Sequence, residues 1–343
     1  MDTGALSERI AEMLGGSSAD QSPFELERSS AGGNNRVFVV SVGERRLVAK
    51  CYYRSDEDPR DRLLAEWSFL SFARDVGVRC VPRPVSCNRD ANLALYEFVE
   101  GSKVEPGSLS RADIESAVEF FLALNASGAV ARATALPTAS EACFRIADHF
   151  TIVDRRLARL AQIEMDTPLG NEAADLVGRL VDYWRTLKRR LCDEARARGI
   201  SVDASLTAAE RCVSPSDFGF HNALRDASGV LRFLDFEYAG WDDPAKMIVD
   251  FFCQPAVPVN STYFEWFLER TAAFADDPES LMARARLLRP VFRIKWCCIM
   301  LNEFDPESAG RRRFARPGLD ESQRRRAQLE KTRRAYQTLK EEG

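Results

Sequence analysis

Residues 212–237 read CVSPSDFGFHNALRDASGVLRFLDFE, and the interpretation of the whole chain starts from this stretch. An apolar pair and a strand-like run flank a polar segment of turn-forming residues, and this order predicts a β-hairpin. Paired residue numbers in an antiparallel hairpin keep a constant sum. If Leu224 pairs with Phe233, then Asn222 lies opposite Asp235.

Such a hairpin would bring an amide oxygen and a carboxylate side by side. This pair suits Mg²⁺, which takes few protein oxygens and completes its shell with water and phosphate. Asp217 lies one loop upstream of the pair and could reach a hydroxyl group next to the metal. Asn222 and Asp235 are therefore the candidate metal ligands and Asp217 is the candidate catalytic residue. An ordinary loop and hairpin could contain the same three residues. The interpretation therefore depends on whether the other parts of a nucleotide-binding site occur elsewhere in the chain.

Composition places the chain among ordinary globular proteins. Its 343 residues allow one large or two modest domains, with 45% hydrophobic and 29% charged residues. Nine scattered cysteines without a CxxC spacing, and only two histidines, argue against a zinc site. Unpaired thiols favour a reducing compartment, and we expect a cytoplasmic protein.

The sequence shows neither a membrane span nor an export signal. No apolar run approaches the roughly 20 residues that a membrane helix needs. The first residues, MDTGALSERIAEML, contain acidic side chains and no apolar signal core. We therefore expect no segment that crosses a membrane.

A small, polar loop separates the first two predicted strands. Residues 29–35 read SSAGGNN, and glycines in such a loop allow backbone N–H groups to approach phosphate oxygens. The candidate nucleotide-binding residues here are Gly32, Gly33, Asn34 and Asn35. A tight hairpin turn is the alternative reading of the same pattern.

A lysine and a glutamate follow at a suggestive spacing. Lys50 lies in a β-rich run, residues 46–53, and Glu66 lies on an amphipathic helix predicted over residues 61–76. If paired, Glu66 could hold the ammonium group toward nucleotide phosphates. Without such a partner, both side chains would read as solvated surface residues.

The motifs together resemble the aminoglycoside phosphotransferase and choline kinase superfamily. The wording SDFGFHN, followed by LDFEYAGWDDP, is similar to the catalytic loop and metal segment of that family, and LVAK resembles the strand of the phosphate-binding lysine. Residues 29–35 resemble its GGxxN type of loop. The family usually has a histidine two residues before the catalytic aspartate, where this chain has Pro215.

The resemblance implies an α+β, bilobal, protein-kinase-like fold. The β-rich N-lobe, residues 1–100, would bind the nucleotide. A mostly helical C-lobe, residues 101–343, would carry the catalytic loop, the acceptor site and a basic C-terminal helix. The segment LALYEFVEG resembles the hinge strand between kinase lobes, where backbone groups of Glu97 and Val99 would face the adenine. Asp250 would be a buried support that accepts backbone N–H groups from the catalytic loop.

The implied chemistry is phosphoryl transfer from ATP to a hydroxyl group of a small molecule. Mg²⁺ would be held by Asn222 and Asp235, and Lys50, held by Glu66, would orient the triphosphate. Asp217 would accept the hydroxyl proton. The acceptor could be an aminoglycoside, an amino-alcohol or a sugar-like compound, and GTP could replace ATP.

Two other functions remain open. A pseudokinase-type binding or regulatory module would share the fold, although such a module need not keep Lys50, Asp217 and both metal ligands. A protein kinase is disfavoured because no APE-like segment or long activation loop follows Asp235.

The residues that follow the hairpin also allow two readings. They could line a cation-friendly pocket near the metal, or they could cap the next helix. The residues concerned are Glu237, Trp241, Asp242 and Asp243.

The C-terminal end is basic. Residues 310–343 hold 11 Arg or Lys and 5 Asp or Glu, so the rest of the chain has a net charge of −10. We expect a solvated helical face from about Leu319, with docking to an anion as the alternative. No nucleic-acid-binding motif occurs, so no nucleic-acid partner is expected. The sequence gives no indication of the oligomeric state.

Overall fold

The structure is a computed structural model that describes residues 3–15, 24–29, 35–54, 58, 60–163, 165–305 and 320–342. Two helices and five strands make up its N-terminal part: α1 (Thr3–Met13), β1 (Phe24–Arg28), β2 (Arg36–Val42), β3 (Arg45–Cys51), α2 (Arg62–Asp75), β4 (Pro84–Asn88) and β5 (Leu93–Glu97).

The five strands form one antiparallel sheet in the order β1-β2-β3-β5-β4. Apolar side chains alternate along β3, where Leu47 and Ala49 are buried, and this period of two is that of a strand with one face on a core. Leu6 and Ile10 of α1 belong to the same apolar cluster. Helix α2 begins after Asp61, whose side chain accepts the N–H of Leu64 at 2.8 Å.

The rest of the described residues are mostly helical and include five short strands. Their elements are β6 (Ser102–Lys103), α3 (Arg111–Asn125), α4 (Ser127–Val130), α5 (Ile146–Leu160), α6 (Pro168–Ala197), β7 (Cys212–Ser214), β8 (Ala223–Arg225), β9 (Leu231–Phe233), β10 (Gly240–Asp242), α7 (Pro244–Phe251), α8 (Phe264–Ala272), α9 (Pro278–Leu301) and α10 (Glu321–Glu342).

Helix α9 lies at the centre of this helical part and packs against α5, α7, α8 and α10. Cys297 and Cys298 near its end are fully buried. The predicted α+β architecture, with a β-rich N-terminal region and a helical C-terminal region, is confirmed. No helix in the described ranges is long and apolar enough to span a membrane.

The basic C-terminal helix is docked on the fold rather than solvated all round. Helix α10 packs against α9 and α6, and its Leu329 and Leu339 are 1% and 3% exposed. The hydroxyl of Tyr183 on α6 donates to the carbonyl of Leu339 at 3.2 Å. The expectation of a solvated helix therefore holds only for its outer face. Part of the basic segment, residues 310–319, lies outside the described residues.

We expect Leu329→Ala to destabilise the protein, because it removes a buried side chain that joins α10 to the core. Loss of a buried leucine side chain costs about 2–5 kcal/mol in the free energy of unfolding. Arg326→Ala is the matched control, since Arg326 is exposed on the same helix and its replacement should cost less than about 0.5 kcal/mol. Urea unfolding measures both, and equal midpoints for the two variants would contradict the docked helix.

Candidate active site

The candidate catalytic loop follows β7 and is held by its apolar neighbours. The chain turns at Ser216, whose φ of +64° lies in the left-handed region. The N–H of Phe218 donates to the carbonyl of Ser216 at 2.6 Å. The ring of Phe218 is buried, with its centroid 5.2 Å from that of Phe233 and 5.1 Å from that of Phe251. These contacts fix the backbone around Asp217, whose side chain remains 38% exposed.

Two side chains from the same loop bind Asp217. Asn222 Nδ2 donates to its backbone carbonyl at 3.0 Å, and His221 Nε2 lies 3.3 Å from its Oδ1. Burial by itself would raise the pKa of the carboxyl group. The hydrogen bond and charge of His221, with the charge of Lys295, outweigh burial and hold the pKa of Asp217 below its usual range. Asp217 is therefore a carboxylate at neutral pH.

The predicted hairpin is present, but its predicted register is wrong by one residue. In the pairing of β8 with β9, Ala223 rather than Leu224 lies opposite Phe233. The reason is the turn, which closes with the N–H of Asp226 donating to the carbonyl of Val230 at 3.0 Å. Three residues lie between these two, so the paired numbers sum to one less than expected.

The register still places the two candidate metal ligands at neighbouring backbone positions. The N–H of Leu234 donates to the carbonyl of Asn222 at 2.8 Å, and Asp235 follows with a φ of +67°. Since Nδ2 of Asn222 is bound to the catalytic loop, Oδ1 is the atom of its amide that can face a cation. An amide oxygen and a carboxylate are hard ligands, so this donor set fits Mg²⁺.

Lys50 reaches from β3 to two carboxylates. Its Nζ lies 2.6 Å from Oε2 of Glu66 on α2, and it also contacts Oδ1 of Asp235. Burial disfavours the ammonium, but the charges of Asp235 and Glu66 outweigh it and hold the pKa of Lys50 well above its usual range. The spacing of Lys50 and Glu66 in the sequence thus corresponds to direct contact in the structure.

Glu66 is held by three donors. Besides Lys50, the hydroxyl of Tyr52 donates to Oε2 at 2.7 Å and the N–H of Phe236 donates to Oε1 at 3.2 Å. Burial raises the pKa of Glu66. Three converging donors nevertheless require acceptor oxygens, so Glu66 is the carboxylate partner of the Lys50 ammonium. Helix α2 and the segment after β9 are joined through this side chain.

The end of the glycine-rich loop is bound to the segment that follows Asp235. Asn35 is 3% exposed, donates from Nδ2 to Oε2 of Glu237, and accepts the N–H of Tyr53 at 3.1 Å. The pattern of the sequence could not predict this contact, because the two residues are 202 positions apart. The other predicted residues of the loop lie outside the described residues: Gly32, Gly33 and Asn34.

The hypothesis that the residues after the hairpin line a cation-binding pocket is not supported. The alternative, that they cap the next helix, holds for Asp243. Its side chain accepts the N–H of Ala245 at 2.8 Å at the start of α7. It also binds His149 Nε2 at 3.0 Å and Arg284 Nε at 2.8 Å. Asp242 is buried against the ammonium of Lys246.

The other two residues of the proposed pocket, Trp241 and Glu237, also contact other residues of the protein. Trp241 Nε1 donates to the carbonyl of Ala133 at 3.3 Å, and Glu237 is 2% exposed against Asn35. These side chains are therefore satisfied by the protein itself.

Asp250 is buried, as expected, but its side-chain hydrogen-bond partners differ from the expected ones. Its carboxylate accepts from Nε1 of Trp296 and, at 3.4 Å, from Nζ of Lys295. Both donors are side chains of α9 rather than backbone N–H groups of the catalytic loop. Asp250 lies on α7, so its bonds join the two helices instead of supporting the loop directly.

The predicted hinge segment ends the sheet. Glu97 closes β5, and its N–H donates to the carbonyl of Arg83 at 2.9 Å. Only the carbonyl of Glu97 could therefore face a nucleotide base. Val99 lies beyond the strand, where its backbone is not part of a regular element.

Several solved structures of small-molecule kinases are similar to this chain in fold. A choline kinase from Cryptosporidium parvum aligns at 13% identity over 100% of this chain and 97% of its own, with a TM-score of 0.60. A choline/ethanolamine kinase family protein from Mesorhizobium loti aligns at 16% identity over 96% and 94%, with a TM-score of 0.58. A spectinomycin phosphotransferase, in complex with ADP and spectinomycin, aligns at 13% identity over 96% and 98%, with a TM-score of 0.57. These likenesses support the kinase-like fold.

Comparison with curated protein sequences gave no match. The phosphotransferase enzyme family, in contrast, matches residues 25–250, which run from β1 to α7 and contain every candidate residue described above. The predicted resemblance and the predicted enzyme class, a kinase-type phosphotransferase, are confirmed. This chain belongs to the phosphotransferase enzyme family.

Proposed function

We propose that this protein transfers the γ-phosphoryl group of ATP to a hydroxyl group of a small molecule. The observation that carries this proposal is the convergence of Lys50, Glu66 and Asp235 from three separate elements. A purely structural ion pair would not need a second carboxylate 36% exposed at its open side. The partly exposed carboxylate of Asp235 could bind a cation, and the buried ammonium group of Lys50 could bind a triphosphate.

The two parts of the chain have different tasks in this proposal. Residues 1–100 bind the nucleotide, with the glycine-rich loop over its phosphates and the carbonyl of Glu97 and the backbone of Val99 at its base. Residues 101–343 supply the catalytic loop and the acceptor site. The contact between Asn35 and Glu237 joins the loop of the first part to the second part.

Asn222 Oδ1 and the carboxylate of Asp235 would hold Mg²⁺, which neutralises charge on the triphosphate when it is bound. In the structure, the ammonium group of Lys50 forms an ion pair with the carboxylate of Asp235. In the working enzyme, its ammonium would remain on Glu66 and bind phosphate oxygens.

Asp217 performs the proton transfer in this account. Its carboxylate orients the acceptor hydroxyl and takes its proton as the hydroxyl oxygen forms a bond to the γ-phosphorus. The bond from that phosphorus to the bridging oxygen breaks, and its electron pair leaves with ADP. Most of the acceleration comes from positioning and charge stabilisation.

The acceptor class is drawn from the fold and the site together. Structures with this fold are named for choline, ethanolamine and spectinomycin, and all three names denote small molecules. We propose an acceptor of comparable size with a free hydroxyl group, such as an amino-alcohol, an aminoglycoside or a sugar-like compound. All nine cysteines are free, which supports a place in a reducing compartment such as the cytoplasm.

A screen for acceptor-dependent ADP release tests the proposal. Purified protein with Mg²⁺ and ATP is incubated with single amino-alcohols, aminoglycosides and sugars, and ADP is measured against a blank without acceptor. We expect at least one acceptor to raise ADP release well above the blank. Uniform ADP release with and without every acceptor, from protein that binds Mg·ATP, would favour a binding module instead.

We expect Glu66→Gln to weaken nucleotide binding, because the neutral amide no longer holds Lys50 by charge. A hydrogen bond to a charged group contributes about 1.5–3 kcal/mol, so the Kd for Mg·ATP should rise about 10- to 100-fold. Glu100→Gln is the control, since Glu100 is 79% exposed in its pair with Arg46. Calorimetry measures both variants. A Glu66→Gln protein that binds as tightly as the control would remove Glu66 from the nucleotide site.

A further inference from the structure

The imidazole of His221 lies against the carboxylate of Asp217. Nε2 lies 3.3 Å from Oδ1, and the two side chains are 18% and 38% exposed. His221 belongs to the 3₁₀ turn Phe220–Asn222, four residues after Asp217. Neither the metal site nor the nucleotide site described above uses this ring.

The loop is built to admit the ring at this place. A Cβ atom at Gly219 would lie 2.8 Å from Nδ1 and 3.1 Å from Cε1 of His221, so a larger residue would displace the imidazole. The same Cβ would lie 3.2 Å from Cγ of Gln254. Gln254 is itself fixed, because its Oε1 accepts the N–H of Ala256 at 2.9 Å. The missing side chain at Gly219 thus leaves room for the ring, and Gln254 lies beside the same glycine.

The surroundings of the ring decide which nitrogen carries the proton. A lone pair on Nε2 would face the negative carboxylate of Asp217, so Nε2 must be the N–H group. Nδ1 is buried and has no hydrogen-bond partner among the described residues. A bare lone pair at Nδ1 is compatible with the neutral ring, and Nε2 donates whether the ring is neutral or cationic.

We propose that His221 is a positioning residue that fixes the carboxylate of Asp217 for the transfer step. This inference rests on the proposed function. The Nε2–H group binds Oδ1, stops rotation of the carboxylate and leaves Oδ2 for the acceptor hydroxyl. Asn222 holds the backbone carbonyl of the same aspartate at 3.0 Å, so both ends of Asp217 are fixed by consecutive residues. Orientation of this kind is needed because small displacements of a reacting group cost large factors in rate.

Three substitutions separate positioning from a structural role. Gln places an amide nitrogen as many bonds from Cβ as Nε2 of histidine, whereas Asn reaches only as far as Nδ1. We expect His221→Ala and His221→Asn to lower kcat about 10- to 100-fold, with less than about a twofold change in KM for ATP. His221→Gln should recover most of the lost kcat. The three melting temperatures and the Kd for Mg·ATP are measured alongside.

Three kinetic outcomes would overturn the proposal. They are an unchanged kcat in His221→Ala, no advantage of Gln over Asn, and a parallel loss of kcat, nucleotide affinity and melting temperature in all three variants.

A spectroscopic measurement keeps this test separate from the proposed function. The chain has only two histidines, so nitrogen-15 labelling of histidine gives two imidazole spin systems, and His221→Gln assigns them. We expect His221 to carry its proton on Nε2 and to shift in Asp217→Ala while His149 stays in place. A proton on Nδ1 alone would overturn the contact. A His221 signal that does not shift in Asp217→Ala would overturn it as well. Wild-type protein without any acceptor-dependent turnover would instead overturn the proposed function.

Discussion

Asp217→Asn is expected to lower kcat with the true acceptor by about 10²–10⁴-fold, the usual contribution of a general base. The amide keeps the shape of the side chain and one acceptor oxygen, so the loop should fold as before. It cannot take the hydroxyl proton. The KM for ATP should change little, because the missing interaction matters mainly in the transition state.

The matched control is Asp203→Asn, which makes the same chemical change at an exposed position. Acceptor-dependent ADP release and a thermal melt with and without Mg·ATP are measured for both variants. An Asp217→Asn protein that melts normally and keeps full turnover would remove the central residue of the proposed mechanism. A variant that loses stability and every activity together would make Asp217 a structural loop residue.

Asp235→Ala should abolish the gain in ATP affinity that Mg²⁺ gives the wild type. Asp235 supplies the only carboxylate of the proposed metal pair, and the neutral side chain of Asn222 cannot hold the ion alone. Metal assistance is worth several kcal/mol, so turnover should fall at least about 10²-fold. The substitution also removes one of the two carboxylates that the Lys50 ammonium contacts. The affinity for ATP without Mg²⁺ should change much less than the affinity with Mg²⁺.

Calorimetric titrations of ATP with and without Mg²⁺ decide this prediction. Asp193→Ala serves as the control, because Asp193 is 72% exposed in a surface pair with Arg196. An equal Mg²⁺ effect in Asp235→Ala and the wild type would show that the metal is held elsewhere. Identical affinities with and without Mg²⁺ in the wild type would remove the metal site altogether.

Local patterns predicted the elements well and their ends less well. The helix expected over residues 61–76 is Arg62–Asp75, and the strand expected over residues 46–53 is Arg45–Cys51. Both follow from apolar periodicity, which persists over many residues. Ends depend on single contacts, such as the bond from Leu64 to Asp61 that starts α2. Such contacts carry little signal in one sequence.

The hairpin register shows why a turn is harder to predict than its strands. Asp226 Oδ1 accepts the N–H groups of Ser228 and Val230, both at 3.0 Å, and Gly229 has a φ of +85°. A glycine in the left-handed region completes a three-residue turn. The sequence contains suitable residues for this three-residue turn. The same residues would also suit a four-residue turn, which shifts the strand register by one position.

Contacts between distant residues were the least predictable part of the site. Lys50 and Glu66 are 16 residues apart on adjacent elements, and resemblance to a known motif was enough to pair them. Asn35 and Glu237 had no such guide, and Glu237 was expected at a pocket or a helix cap. The burial of α10 was similarly obscured, because polar residues surround Leu329 and Leu339 along the helix.

The most direct test of the proposed function follows the phosphoryl group itself. ATP labelled at the γ-phosphate is incubated with Mg²⁺, a small-molecule extract and either wild-type or Asp217→Asn protein, and the products are separated. The proposed mechanism predicts that label appears in a small organic phosphate ester with the wild type and not with Asp217→Asn. Label found only in inorganic phosphate or on protein, or a wild type that binds Mg·ATP and transfers nothing, would contradict it.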